Sequence, residues 1–360
     1  DQHFSPAEYP YPSLPTIETG MYPHHSGIFN DKLSMELRDA DVTLSERARA
    51  AGYATAELLG FGCGIYDGIL RGFDRLITSM YHVSANECVE HTIHHLDALR
   101  DADHYLLIHT SDVHPWPPPL FQIPTTVQAQ LPLMEHVTEA DHPVASPYMQ
   151  PSPVNHRIFW QSIRDTDRAL GTLFSYLEEQ YAPEDYIVNL YSDHGISIFS
   201  TPQDIVGTGL THAAWMMRGA GVPGGVRTNE LTSAVDIYPA LAHLLDFPVG
   251  SNVDGILPKL LGGTGRDITY SNSLYPGKPY FLAARSRTHT LRLEPQESVG
   301  MDGTVDLAHA NVAIYPRAHE NEAGYAVDSP ELRAFFYPRV REFLHGIGNN
   351  GEIFPLPTKG

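Results

Sequence analysis

The sequence predicts an α/β fold, with a mainly parallel sheet flanked by helices and a smaller α+β unit behind it. Three observations carry this. His104–Thr110 (HYLLIHT) and Tyr186–Tyr191 (YIVNLY) are short apolar runs of the kind that form strands buried on both faces. Segments of helical period alternate with such strands, which implies parallel crossovers. After about Thr264 the texture changes to short alternating runs, Tyr280–Ala284 and Thr288–Leu293, and then a terminal helix over 329–345. The division that follows is an α/β unit at 1–264 and, at 265–360, a C-terminal unit with a small antiparallel sheet and a terminal helix.

In chain order, residues 1–30 are rich in proline and aromatics, and Pro10, Pro12 and Pro15 signal turns. Ser13 or Thr16 is expected to cap a short helix running to about Gly20. Residues 43–52 read as a helix closed by Gly52, then a strand at Tyr53–Leu59, then a helix over 84–100. From Trp116 to Pro153 proline is frequent and periodicity is lost. A loop of that length in a compact domain is usually functional, and a substrate-selecting flap is the expectation. Ile158, Ile163, Leu170, Leu173, Phe174 and Leu177 recur at helical spacing, so 154–181 is a long amphipathic helix. Ala214–Arg218 reads as a strand and Ser233–Leu245 as a helix.

Composition narrows the function. Hydrophobic residues at 42% and charged residues at 18% suit a globular chain. No apolar run reaches the roughly 18 residues of a membrane span, so a soluble protein, cytoplasmic or exported, is expected. Cys63 and Cys88 are too few for a disulfide framework, though one bridge between them stays open. The net charge of −20 argues against nucleic-acid or anionic-membrane partners. Lysines are confined to Lys32, Lys259, Lys278 and Lys359, against 20 histidines. An anionic substrate would therefore be met by histidine, arginine and metal.

Both securely read strands end in Asp/His pairs, and in parallel sheets chemistry sits beyond the carboxyl ends of strands. In Ser192-Asp193-His194-Gly195 a carboxylate and an imidazole on one tight turn can coordinate a divalent metal, Gly195 letting the backbone bend away. An ordinary turn with a solvated Asp193 is the alternative. Asp112 and His114 lie two apart on an extended segment and can share a face. His114 can then hydrogen-bond an ester oxygen or protonate a leaving group, unless the segment is a surface loop held by Pro115. His212, after Gly207 and Gly209, can supply a cationic or proton-donating group, or be merely a polar residue. A helix start within Pro12–His25 would offer free N–H groups to an anion; otherwise it is a proline-rich turn.

In order along the chain, several segments resemble motifs of the sulfatase family in the alkaline phosphatase superfamily. They are Thr19-Gly20-Met21-Tyr22-Pro23-His24-His25-Ser26-Gly27, Gly52-Tyr53-Ala54-Thr55-Ala56, Gly72-Phe73-Asp74, Asp112–Pro115, Ser192–Gly195, Arg218–Gly225, Val235–Leu241 and Asp254–Leu257. The resemblance implies an alkaline-phosphatase-like core and a C-terminal subdomain with a four-stranded sheet. It implies hydrolysis of sulfate esters, or of phosphate and phosphonate esters, with an activated nucleophile and one or two divalent metals. Calcium is the first expectation, with magnesium, manganese or zinc as alternatives. By motif, Asp193 and His194 would be metal ligands, and His114 would contact the transferred group or leaving oxygen. His212 would stand where the family has Lys or His, and Asp112, Ser13 and His24 would fall on the substrate side.

Two departures stand out. The family's first metal-binding Asp pair lies well upstream of the Thr19 motif, and Asp1-Gln2 is too close to Thr19 to be it. The nucleophile motif, aligned through Pro12-Ser13, puts Pro10 at the nucleophile and Leu14 at the arginine; Tyr11, Ser13 and Thr16 are the nearby hydroxyls. The expectation is that the first residue falls inside the fold, with a strand upstream of it. The function expected is a metal-dependent hydrolase of sulfate or phosphate esters on a small molecule or glycan. The alternatives are an inactive scaffold binding a glycan or protein partner, or a transferase of phosphate-linked head groups. Oligomeric state is left open.

Overall fold

The computed structural model describes residues 2–29, 35–60, 70–78, 83–113, 136–137, 148–149, 151–201, 204–294, 297–307, 310–322, 324–345 and 347. β1 (Gln2–Phe4) leads into α1 (Pro10–Thr19), α2 (Pro23–Ser26) and α3 (Leu44–Ala50). Then come β2 (Ala54–Leu59), β3 (Arg75–Ile77), α4 (Ala85–Ala98) and β4 (His104–His109). β5 (His136–Val137) and β6 (Tyr148–Met149) pair antiparallel; the rest of the proline-rich flap expected at 116–153 is largely outside the described residues. α5 (Pro153–Gln180), β7 (Ile187–Tyr191), α6 (Thr208–Thr211), β8 (Trp215–Gly219), β9 (Leu231–Ser233) and α7 (Ile237–Leu244) follow. The chain continues through β10 (Thr269–Ser273), β11 (Phe281–Arg285), β12 (His289–Glu294), β13 (Asn311–Pro316) and α8 (Pro330–Phe343).

Local chemistry sets the helix starts. Thr43 with Glu46, and Ser84 with Glu87, form capping boxes that satisfy N–H groups at the starts of α3 and α4. Ser152 caps α5, whose 28 residues span about 42 Å at ~1.5 Å each. Ala169, Leu173 and Leu177 of α5 pack on Ala85, Val89 and Leu96 of α4. Cys88 of α4 is a free, buried thiol; Cys63, the other half of the bridge left open from the sequence, lies outside the described residues.

α1 corrects the reading of the N-terminal segment. Neither Ser13 nor Thr16 caps it: the helix starts at Pro10, and the three prolines lie inside it rather than in turns. Pro10 suits the first position because an N–H there has no intrahelical partner and φ is already helical. Helix exit is as expected, at Gly20 with φ 68°. A β-carbon on Gly20 would lie 2.7 Å from Val253 and 2.9 Å from Tyr238. Gly20→Ala is therefore expected to cost roughly 1–3 kcal/mol by overpacking and left-handed strain, read as a shift in the urea midpoint.

β2 is the middle strand of a parallel trio, β3-β2-β4, with Leu59 opposite His109. β1 runs parallel to β9. β7 and β8 pair antiparallel, because β7 returns through the short α6 instead of a full crossover helix. The C-terminal sheet is four-stranded and antiparallel in the order β10-β11-β12-β13. One face (Leu282, Ala284, Leu291, Leu293, Ile314) packs on Phe336, Val340 and Phe343 of α8. On the other, Ala283 meets Ile205, Val206 and Leu210 of the α/β part. Arg285 and Arg292 on that face are almost fully buried, and both pair with Glu320.

A second buried ion pair ties the motifs together. Arg266 is bidentate to Asp236, and its Nη1 donates to the Tyr22 hydroxyl at 3.0 Å. Asp254 accepts from the Tyr22 N–H and pairs with His25 Nδ1, each at 2.8 Å. Tyr22, Asp236 and Asp254 thus join three of the matched segments around one guanidinium.

Candidate active site

Beyond β7 the backbone turns through Ser192–Gly195, and the 209–214 segment holds it. Ser192 N–H donates to Ala214 O (3.0 Å), Gly195 N–H to Leu210 O (2.7 Å) and Ile196 N–H to Gly209 O (2.9 Å). Only glycine permits this approach, since a β-carbon on Gly195 would sit 2.3 Å from the Gly209 oxygen.

The turn brings two donors together. His194 Nδ1 lies 2.6 Å from Gly195 O, so that nitrogen carries the hydrogen and Nε2 keeps its lone pair. Nε2 stands 3.5 Å from Asp193 Oδ2, while Asp193 Oδ1 accepts the His194 N–H at 3.0 Å. At that spacing the two atoms could both reach one divalent ion, for which they would supply a two-donor edge. Among the described residues, no group of three or more His, Cys, Asp or Glu side chains is placed to hold a metal.

His109, the last residue of β4, was not singled out from the sequence. Burial pushes its pKa down; Asp193 opposes that shift and His194 adds to it, which places all three in one electrostatic neighbourhood. Its Nδ1 is buried with no hydrogen-bond partner among the described residues. The signal was present: His109 closes the same apolar run that delivers Asp112.

The remaining expected residues have other surroundings. Asp112 lies close enough to Cys88 to join burial in pushing that thiol up to about 12. His114 falls outside the described residues. The backbone of His212 lies in the segment holding the Asp193 turn, but its ring stacks on Phe4 at 5.2 Å. Phe4 in turn lies 4.8 Å from the Arg285 guanidinium and 4.7 Å from that of Arg317. Burial first, then Arg317, lowers the His212 pKa, which disfavours the cationic one of the two roles expected for it, a cationic or a proton-donating group. Ser13 is fully buried on α1, its hydroxyl donating to Pro10 O at 3.2 Å. His24 packs between His25 and Phe343, with ring centroids 4.0 and 4.6 Å away; burial, then His25, lowers its pKa to about 3.

Solved structures with this fold include a protein in complex with its substrate D-glucosamine-2-N,6-O-disulfate, at 15% identity and TM-score 0.66, covering 96% of this chain and 90% of that one. Phosphonate monoester hydrolases of Silicibacter pomeroyi and Agrobacterium radiobacter each match at 16% identity and TM-score 0.67, covering 96% of this chain and 87% of theirs. At such identities the likeness establishes the fold alone. No curated protein matches the sequence. The Sulfatase family profile matches residues 1–247, and the chain belongs to the sulfatase family.

Proposed function

We propose that this hydrolase of sulfate or phosphate esters uses a divalent metal held in part by Asp193 and His194, and acts on an ester-bearing sugar or other small molecule. The observation that carries the reading is the 3.5 Å spacing of His194 Nε2 and Asp193 Oδ2 beyond the carboxyl end of β7. The chemistry such an ion supplies is polarisation of the S–O or P–O oxygens and neutralisation of developing charge. Asp193 and His194 orient it, because Gly195 O fixes the imidazole tautomer and the 209–214 segment fixes the turn. His109, half-buried in their electrostatic neighbourhood and with its pKa pushed down by burial, offers a ring nitrogen to a substrate oxygen. A glycan ester is supported by the sulfated sugar that one structural neighbour binds. Calcium remains the first expectation among metals, with magnesium, manganese or zinc as alternatives.

Elemental analysis of the purified chain beside Asp193→Ala tests this. About one equivalent of metal, lost in the variant together with a roughly 100- to 1,000-fold fall in aryl-ester turnover, is expected. Equal metal content and equal turnover in both proteins would sink the assignment. The second reading, a scaffold that binds without turnover, is favoured by α1, where Pro10 stands at the nucleophile position and the Ser13 hydroxyl is turned inward. Bound metal without hydrolysis of any aryl sulfate or phosphate would select it.

A further inference from the structure

A cavity of about 140 Å³ lies at the exit of α1, lined by Thr19, Asp41, Arg47, Tyr238, Gly250 and Asn252 among others. At roughly 30 Å³ per water, it has room for about five small heavy atoms, the size of a tetrahedral oxyanion. Arg47 supplies the charge. Its Nε donates to the Tyr238 hydroxyl at 2.6 Å, which fixes the plane of the guanidinium. Its Nη2 lies over Gly250, where an added β-carbon would be 3.6 Å away. Among the described residues Arg47 has no carboxylate partner, and the acidic groups nearby are already engaged. Arg38 and Asn252 hold the Asp41 carboxylate at 2.7 and 2.9 Å, and Arg71 holds Glu46. In a chain of net charge −20, a guanidinium left uncompensated at a polar cavity calls for an anion.

We infer that this cavity binds a small free oxyanion, with inorganic sulfate or phosphate as the fitting class, on the outer N–H edge of Arg47. A guanidinium edge presents two parallel donors to two oxygens of such an ion. Occupancy would brace Tyr238, which packs against Gly20 and Ile17 and whose hydroxyl donates to Val42 O at 3.2 Å. The inference does not depend on the reading of the Asp193 turn.

The test is the thermal midpoint of the full chain against rising sodium sulfate or phosphate, with chloride holding ionic strength constant. Excluded-solute effects of sulfate raise midpoints without saturating, so the readout is the saturable part. A saturable rise is expected in the wild type and in Asp193→Ala. It should be lost in Arg47→Gln and, should that variant fold poorly, in Gly250→Ile, which fills the cavity with Arg47 intact. No saturable rise in the wild type, a rise that survives both cavity variants, or one that vanishes only in Asp193→Ala overturns the inference.

Discussion

Arg266→Met is expected to destabilise the protein by roughly 3–5 kcal/mol, because it strands a buried carboxylate. Asp236 is 1% exposed, and beyond the guanidinium it accepts, among the described residues, backbone N–H groups from Ser233 and Ile256 at 2.8 Å each. Removing the cation leaves a full charge in the interior, and the Tyr22 hydroxyl loses a donor in the same step. Against a total stability of about 5–15 kcal/mol, that loss unfolds a large share of a marginal protein. Urea unfolding measures it. Adding Asp236→Asn should recover part of the loss, since the amide is neutral yet still offers one acceptor oxygen. A single-variant cost under about 1 kcal/mol would show that the ion pair is not what holds the junction.

Raising the pH should cost stability through Glu57, on the order of 5 kcal/mol in all, from a carboxyl held protonated in the folded state. Glu57 is 1% exposed in the middle of β2, and among the described residues neither oxygen has a hydrogen-bond partner. Burial first, then Glu18, raises its pKa from the usual 4.5 to about 8. Glu18 on α1 faces it with both oxygens engaged, by the Tyr105 hydroxyl of β4 at 2.8 Å and the Ser45 N–H of α3 at 3.1 Å. Tyr191 of β7 is close enough to feel both carboxyls. With the folded-state pKa raised, the contribution is fully present below the unfolded value near 4.5 and is lost as pH climbs through about 8. Glu57→Gln should match the wild type near pH 4 and exceed it near pH 9, in denaturant midpoints taken across that range. Identical pH profiles for the two proteins would rule the carboxyl out as the source.

β4, β7 and α5 were legible in the sequence because their apolar composition is unbroken or regular. The two strands read as continuous apolar runs, although every residue of both is only half-buried and the expected burial on both faces is not met. A 28-residue helix repeats its apolar stripe often enough to be unmistakable. α1 was not legible, since three prolines in ten residues signal turns unless one knows that the first falls where no N–H is required. β1 and β9 have three residues each, too few for any period, and pairing of such distant segments leaves no local trace. At the site, Asp193 and His194 stood out because chemistry and strand end coincide. His109 was hidden inside an apolar strand, and Glu57 inside another. The matched motifs turned out to carry much structural chemistry: Tyr22, Asp236 and Asp254 spend their polar atoms on Arg266, on His25 and on backbone groups.

The pairing of β1 with β9 also sets a clock on the ribosome. His3 meets Thr232 across 229 residues, and Glu8 meets Ser273 across 265. At about 5–20 residues per second, β1 waits roughly 10–50 s for β9 to be made. Phe4, which ends between Arg285 and Arg317, waits longer still for the sheet that covers it. The α/β part therefore closes late, when β9 and the C-terminal strands arrive.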